Sequence, residues 1–294
     1  MLFAFLLWWC WSKPAPRLAP AASPAGRSGV PAQEDFAVFT PEQLRAELAS
    51  GEWLVHWLAG APQVLVIEFP DLQSQGRALN RAAALIEKRG GARDRVLSDA
   101  ELQALIQASG DTTASYFLGH DYRAGDLARF YTLAAAQGVV LDAQELRLRQ
   151  LLERARLLAP GAAGVYAGTD SGALVTFSAA DAGAGRPDEH VDLLRRASIL
   201  EHELSHGRFF TDGAYREHCG FFWHQLLSET ERETWRRYLS GRGYDPGNEE
   251  LMINETQALL MHTPDVRDFS AAALHWNDAE LEALRERFRL GLVR

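Results

Sequence analysis

Apolar positions along this chain fall into two kinds of run. Most recur every three or four residues, the stripe of an amphipathic helix; a few are continuous and β-branched, the mark of a buried strand. Thr40, Pro41 and Gln43 give a capping-box start to a first helix that Gly51 closes. "QVLVIEFP", from Gln63 to Pro70, predicts a buried strand. Leu72, Leu79, Ala83 and Ile86 share a helix face that ends at Gly90-Gly91, and 98–110 predicts another capped helix. A short strand is expected within 115–122, then helices over 123–138 and 142–158.

The pattern then changes. Residues 164–178 have strand-like ends around Gly168 and Gly172, which predicts a β-hairpin or a strand pair. A loop follows, and a long helix is expected over 187–210. Further helices are expected over 214–227, 229–240, 249–262 and 279–290. Strands do not alternate regularly with helices. The expected class is therefore α+β, mostly helical, with a small sheet or hairpin ahead of the long helix.

Hydrophobic residues make up 47% of the 294 and charged residues 23%, a globular balance. A net charge of −9 leaves no basic footprint for phosphates and argues against a nucleic-acid partner. With only Cys10 and Cys219, neither a disulfide framework nor a cysteine-rich zinc module can form. Any zinc site must use His, Asp and Glu. Residues 2–11, "LFAFLLWWCW", are too few to span a bilayer, which takes about 20. They read as the apolar part of an export signal, with small residues for cleavage in "APAASPAG", although no Lys or Arg precedes them. Residues 13–34 are rich in Pro, Ala, Ser and Gly and read as a linker. The expectation is an exported protein, periplasmic or secreted, whose membrane contact is confined to the apolar segment. One folded domain is expected over 35–294, with a helical part over 35–160 and a site-bearing part over 161–294.

The long helix carries "EHELSH", Glu201 to His206. Residues four apart share a helix face, so His202 and His206 can point two imidazoles at one ion. Glu203 sits about 100° further round, outside reach of the ion but within reach of a water beside it. This is the H-E-x-x-H arrangement of two metal ligands and a general base. The plainer alternative is two helix histidines with a salt-bridging Glu. A catalytic zinc takes a third protein ligand. Glu255, in "LMINETQALL", is a carboxylate on an apolar helix, where it would be costly unpaired. Asp212, six residues after His206, is its rival, and its plainer role is to cap the next helix. His218, His224, Glu249 and Glu250 are further candidates.

H-E-L-S-H followed by N-E-T-Q-A resembles the zincin metallopeptidases of the gluzincin type. That resemblance implies His202, His206 and Glu255 as ligands of one zinc per chain, and Glu203 as catalytic base toward a peptide or protein substrate. It covers only the motif helix and a later one. The 48 residues between His206 and Glu255 exceed the spacing of the best-known gluzincins. The resemblance also implies that the strand within 173–178 aligns an extended peptide, as the edge strand does in zincins. Two other functions share these residues: a catalytically inactive, zincin-shaped binding protein stabilised by its metal, and a cell-envelope amidase. Tyr215, Tyr238 and Tyr244 are candidate oxyanion donors. His262 lies two turns beyond Glu255, and Glu201 or Asp212 could orient a ligand histidine. His120 and Asp121 are expected to play a structural part at a strand end. Cys219 and the tryptophans at 53, 57, 223, 235 and 276 are expected in the core.

Overall fold

The structure is a computed structural model that describes residues 36–46, 51–181 and 186–291. The apolar segment, the linker and the end of the first expected helix lie outside the described residues. The described chain opens with β1 (Ala37–Phe39), α1 (Pro41–Ala46), β2 (Leu54–Leu58) and β3 (Ala61–Phe69). β2 and β3 form an antiparallel hairpin, and Gly60 supplies the positive φ, +83°, at its turn. β2 is absent from the sequence-based expectation. α2 (Leu72–Ile86) is capped by Asp71, and α3 (Asp99–Ser109) by a capping box at Ser98 and Glu101. The strand expected within 115–122 forms late, as β4 (His120–Arg123). α4 (Ala124–Gln137) and α5 (Ala143–Arg154) follow as expected.

The hairpin expected over 164–178 does not form. β6 (Tyr166–Gly168) pairs instead with the preceding β5 (Leu158–Pro160). β7 (Ala173–Ser178) joins the main sheet between β3 and β4. The reason is burial: all six residues of β7 are buried, and a strand without a solvent face needs partners on both edges. The main sheet is mixed, with order β1-β2-β3-β7-β4. The fold is α+β and mostly helical. Among the described residues no helix is long and apolar enough to cross a membrane.

The long helix, α6 (Leu193–Thr211), begins later than expected because Asp192 caps it, accepting from Arg195 N at 2.8 Å. Side chains alternate across the sheet. Leu65, Ile67, Phe69 and Leu174 pack with α2, α4 and α5, while Val64, Val66, Val175 and Phe177 pack with Ile199 and Leu200 of α6. Gly207 brings α6 down onto the sheet: a Cβ there would lie 3.1 Å from Val64 Cγ1 and 3.4 Å from Val175 Cγ1. The buried Arg196 guanidinium ties α6 to β3 through Glu68 at 2.8 Å. Beyond α6, α7 (Gly213–Phe221) turns into a π-helical stretch, Phe222–Leu226, where one continuous helix is expected. With α8 (Glu229–Gly241), α9 (Glu249–His262) and α10 (Asp278–Gly291) it encloses a second core around Trp223, Trp235 and Phe288. Cys219 is buried there, as expected. α9 lies against α6.

Candidate metal centre

α6 and α9 bring three donors to one point. His202, His206 and Glu255 each offer an atom within 4.8 Å of the others. The two Nε2 atoms are 3.0 Å apart. Glu255 Oε1 is 3.7 Å from His206 Nε2, and its Oε2 is 3.8 Å from His202 Nε2. Two donors on one tetrahedral zinc stand about 3.3 Å apart, so small side-chain movements would seat the ion.

The surroundings fit the same purpose. Thr263 Oγ1 donates its hydrogen to Ala258 O at 3.0 Å, so it must accept from His202 Nδ1, 2.8 Å away. That bond fixes the tautomer and leaves the Nε2 lone pair facing His206 and Glu255. Oε2 of Glu255, Oε2 of Glu203 and Nδ1 of His206 are buried with no hydrogen-bond partner. Burial holds the His202 pKa well below the usual imidazole value, with His206, Arg242 and His262 adding to the fall. His206 is also lowered by burial, against the pull of Glu255 and a hydrogen bond with Asn254. Neutral imidazole is the form that binds metals. Burial pushes the Glu255 carboxyl up to about 8; His206 and a Tyr244 hydrogen bond oppose the rise, and Asp121 and Glu87 add to it. Glu203 is raised well above the carboxylate range, first by burial and then by Asp121, Glu255 and Glu87. A divalent cation at this point would favour the ionised form of every one of these carboxylates.

Glu203 lies beside the donor set, where Asp121, Glu203 and His206 form a second close group. Its position depends on Gly119, just before β4. A Cβ on Gly119 would fall 2.1 Å from Glu203 Oε1. Asp121 Oδ2 is 3.7 Å from His206 Nε2, and Asn254 Nδ2 holds the other oxygen at 3.3 Å. The sheet explains why Asp121 faces the site and His120 does not. Asp121 sits opposite Val175, which packs toward α6; His120 and Tyr122 point to the other face. There His120 Nδ1 meets the Tyr122 hydroxyl at 2.9 Å, and that hydroxyl donates to Glu87 Oε1 at 2.7 Å. Glu87 completes a third close group with Asp121 and Glu255. Sequence reasoning assigned Asp121 a structural part and passed over Glu87 and Gly119.

The other candidates lie elsewhere. Asp212 caps α7, accepting from Tyr215 N at 3.0 Å, and belongs to none of these groups. Among the described residues His218, His224, Glu249 and Glu250 are also outside them. His218 meets Phe288 edge to face, and Glu250 pairs with Arg123. Glu201 pairs with Arg45 at 2.8 Å rather than with a histidine of the site. Tyr215 donates to Gln257 Oε1 at 2.7 Å and lies 3.1 Å from His262 Nε2. Gln257 donates to Ser205, so these residues form a polar brace between α7, α9 and α6. Of the three tyrosines, Tyr244 faces the site.

Above the donors opens a cleft of about 610 Å³, with His202, Glu203 and Glu255 on its floor. Its walls are residues 115–119 and 241–244. β7 cannot align a peptide here, because β3 and β4 occupy both of its edges; the edge strand beside α6 is β4. No protein-family model, curated protein or solved structure matches this chain.

Proposed function

We propose that this chain is a zinc-dependent hydrolase, a metallopeptidase, with one zinc held by His202, His206 and Glu255. The observation that carries the reading is the convergence of those donors with a buried, unpartnered Glu203 carboxylate on the floor of an open cleft. The resemblance of the two motifs to gluzincins points the same way. A bound zinc supplies Lewis acidity at neutral pH. Glu203 takes the proton of the attacking water and later delivers it to the leaving amine. Tyr244 lines the cleft, and by turning its one hydroxyl proton away from Glu255 it would donate to the developing oxyanion. Thr263 holds the His202 ring in its ligating orientation. Asn254 orients Asp121 beside His206.

The test joins metal content to turnover. Purified chain should hold about one zinc, and folded His206→Ala and Glu255→Ala variants should lose it. Glu203→Gln should keep the metal and lose hydrolysis of a peptide library that the parent chain cleaves. Undiminished turnover by Glu203→Gln would sink the mechanism. Metal retained with no cleavage by the parent chain would point instead to a metal-stabilised binding protein.

A further inference from the structure

One wall of the cleft is built where residues 87–89 meet 243–245. Lys88 and Tyr244 form an isolated antiparallel bridge, Arg89 N donates to Gly243 O at 2.7 Å, and Asp245 N donates to Glu87 O at 3.0 Å. This junction puts three cations on the cleft: Arg89, which donates to Ser240 Oγ at 2.8 Å, and Lys88 and Arg242, close enough to repel each other. Lys88 is only 4% exposed. Its ammonium lies over the rings of Tyr116 and Phe117, at 3.9 and 4.4 Å from their centres. Its one hydrogen bond is a long one, 3.5 Å, to Tyr116 O. An ammonium has three donors, so a buried one is left short of acceptors here. A side chain at residue 243 would close the space, since a Cβ on Gly243 would lie 2.9 Å from Nζ. Arg242 is exposed on the same wall. Among the described residues neither Lys88 nor Arg242 has a carboxylate within ion-pair distance, whereas Arg195 and Arg267, which also line the cleft, are matched by Asp268, Asp192 and Asp265. Asp111 and Glu87 attract the Lys88 ammonium only from beyond ion-pair distance, and Asp111 also accepts from Ser109 at 2.6 Å.

Lys88 and Arg242 repel each other, and neither is directly paired with a carboxylate. In a chain of net charge −9 such a pair is a local exception. We propose that Lys88 and Arg242 bind a carboxylate of the substrate, so that the cleft selects peptides with an acidic group close to the bond presented to Glu203. This rests on the reading of the cleft as a peptidase site. The acidic group is either an Asp or Glu side chain within the peptide or its free C-terminal carboxylate. Planar recognition by Arg242 and a point charge from Lys88 suit both.

The probe is a set of fluorescein-labelled peptide pools. They differ only in carrying Glu or Gln at central positions, and each is made as the free acid and as the amide. Anisotropy on the zinc-loaded Glu203→Gln chain reads binding without turnover. Acid-bearing pools should bind roughly tenfold to a hundredfold tighter than the Gln amide pool. Lys88→Met and the exposed Arg242→Gln should each remove most of that difference. Selectivity for central Glu identifies the internal side chain, and selectivity for the free acid identifies the C-terminus. Equal binding of all pools, or selectivity that survives both substitutions, overturns the proposal. The same pools offered to the parent chain separate the two readings. Cleavage without acid preference discards the anion site and keeps the hydrolase. Acid-selective binding without cleavage keeps the anion site and discards the hydrolase.

Discussion

Gly119→Ala isolates the role of Glu203 without touching a metal ligand. The Gly119 backbone is outside the left-handed region, so alanine is conformationally allowed there. The new Cβ would fall 2.1 Å from Glu203 Oε1, 2.4 Å from Cδ and 2.7 Å from Cγ. Carbon and oxygen settle at roughly 3.3 Å, so the carboxylate must retreat by about 1.2 Å. The obstacle is the far end of a flexible side chain, so that side chain yields and the fold is kept. A displacement of about 1 Å at a reacting group costs on the order of 100-fold in rate. The assay is kcat/KM on a cleaved peptide, with zinc content as control. Gly119→Ala should lose about two orders of magnitude and keep its zinc. On a Glu203→Gln background the same change should cost little more, because both act on one group. Full activity in folded, zinc-loaded Gly119→Ala would show that Glu203 does not need this position, and the assignment of the base would fail.

Thr263→Val removes the acceptor that fixes His202, and zinc affinity should fall by about 10- to 100-fold in competition with a chelator; unchanged affinity would mean that the ring is held by packing alone. Asp212→Ala should cost about 1 kcal/mol in a denaturant titration through loss of the α7 cap. Its zinc content should not change, and loss of metal would reinstate Asp212 as the third ligand. Burial lowers the His120 pKa from 6.5 to about 3, with the charge of Lys88 contributing. The unfolded chain then takes the proton first, so stability falls as pH drops below about 6.5 and the loss levels off near 3. The accumulated loss is on the order of 5 kcal/mol. Denaturant midpoints measured from pH 7 to 4 should show a shallower acid limb in His120→Gln, and parallel limbs would remove His120 from the account.

The parts of the site that could be read from sequence are those whose geometry is local. His202, Glu203 and His206 lie within one turn of one helix, so helix periodicity alone puts them together. Glu255 was accessible by a different argument, the cost of a lone carboxylate on an apolar helix, and α9 does carry it to the two imidazoles at 3.7 and 3.8 Å. What escaped depends on strand pairing. A mostly apolar run such as 173–178 fits a hairpin arm as well as an interior strand, and only its total burial decides between them. Once β7 is interior, antiparallel register puts Asp121 on the face of Val175 and so beside His206. The alternation in "HDYR" was a usable signal: His120 and Tyr122 must take one face, Asp121 and Arg123 the other. Read that way, Asp121 is the acid that a strand next to the motif helix would offer to it. Gly119 and Glu87 had no such signal. One matters through the side chain it lacks, and the other reaches Asp121 and Glu255 only after residues 87–89 close onto 243–245. The same closure sets Lys88 beside Arg242, so the wall of the cleft and the rear of its floor come from one long-range contact that no local pattern announces.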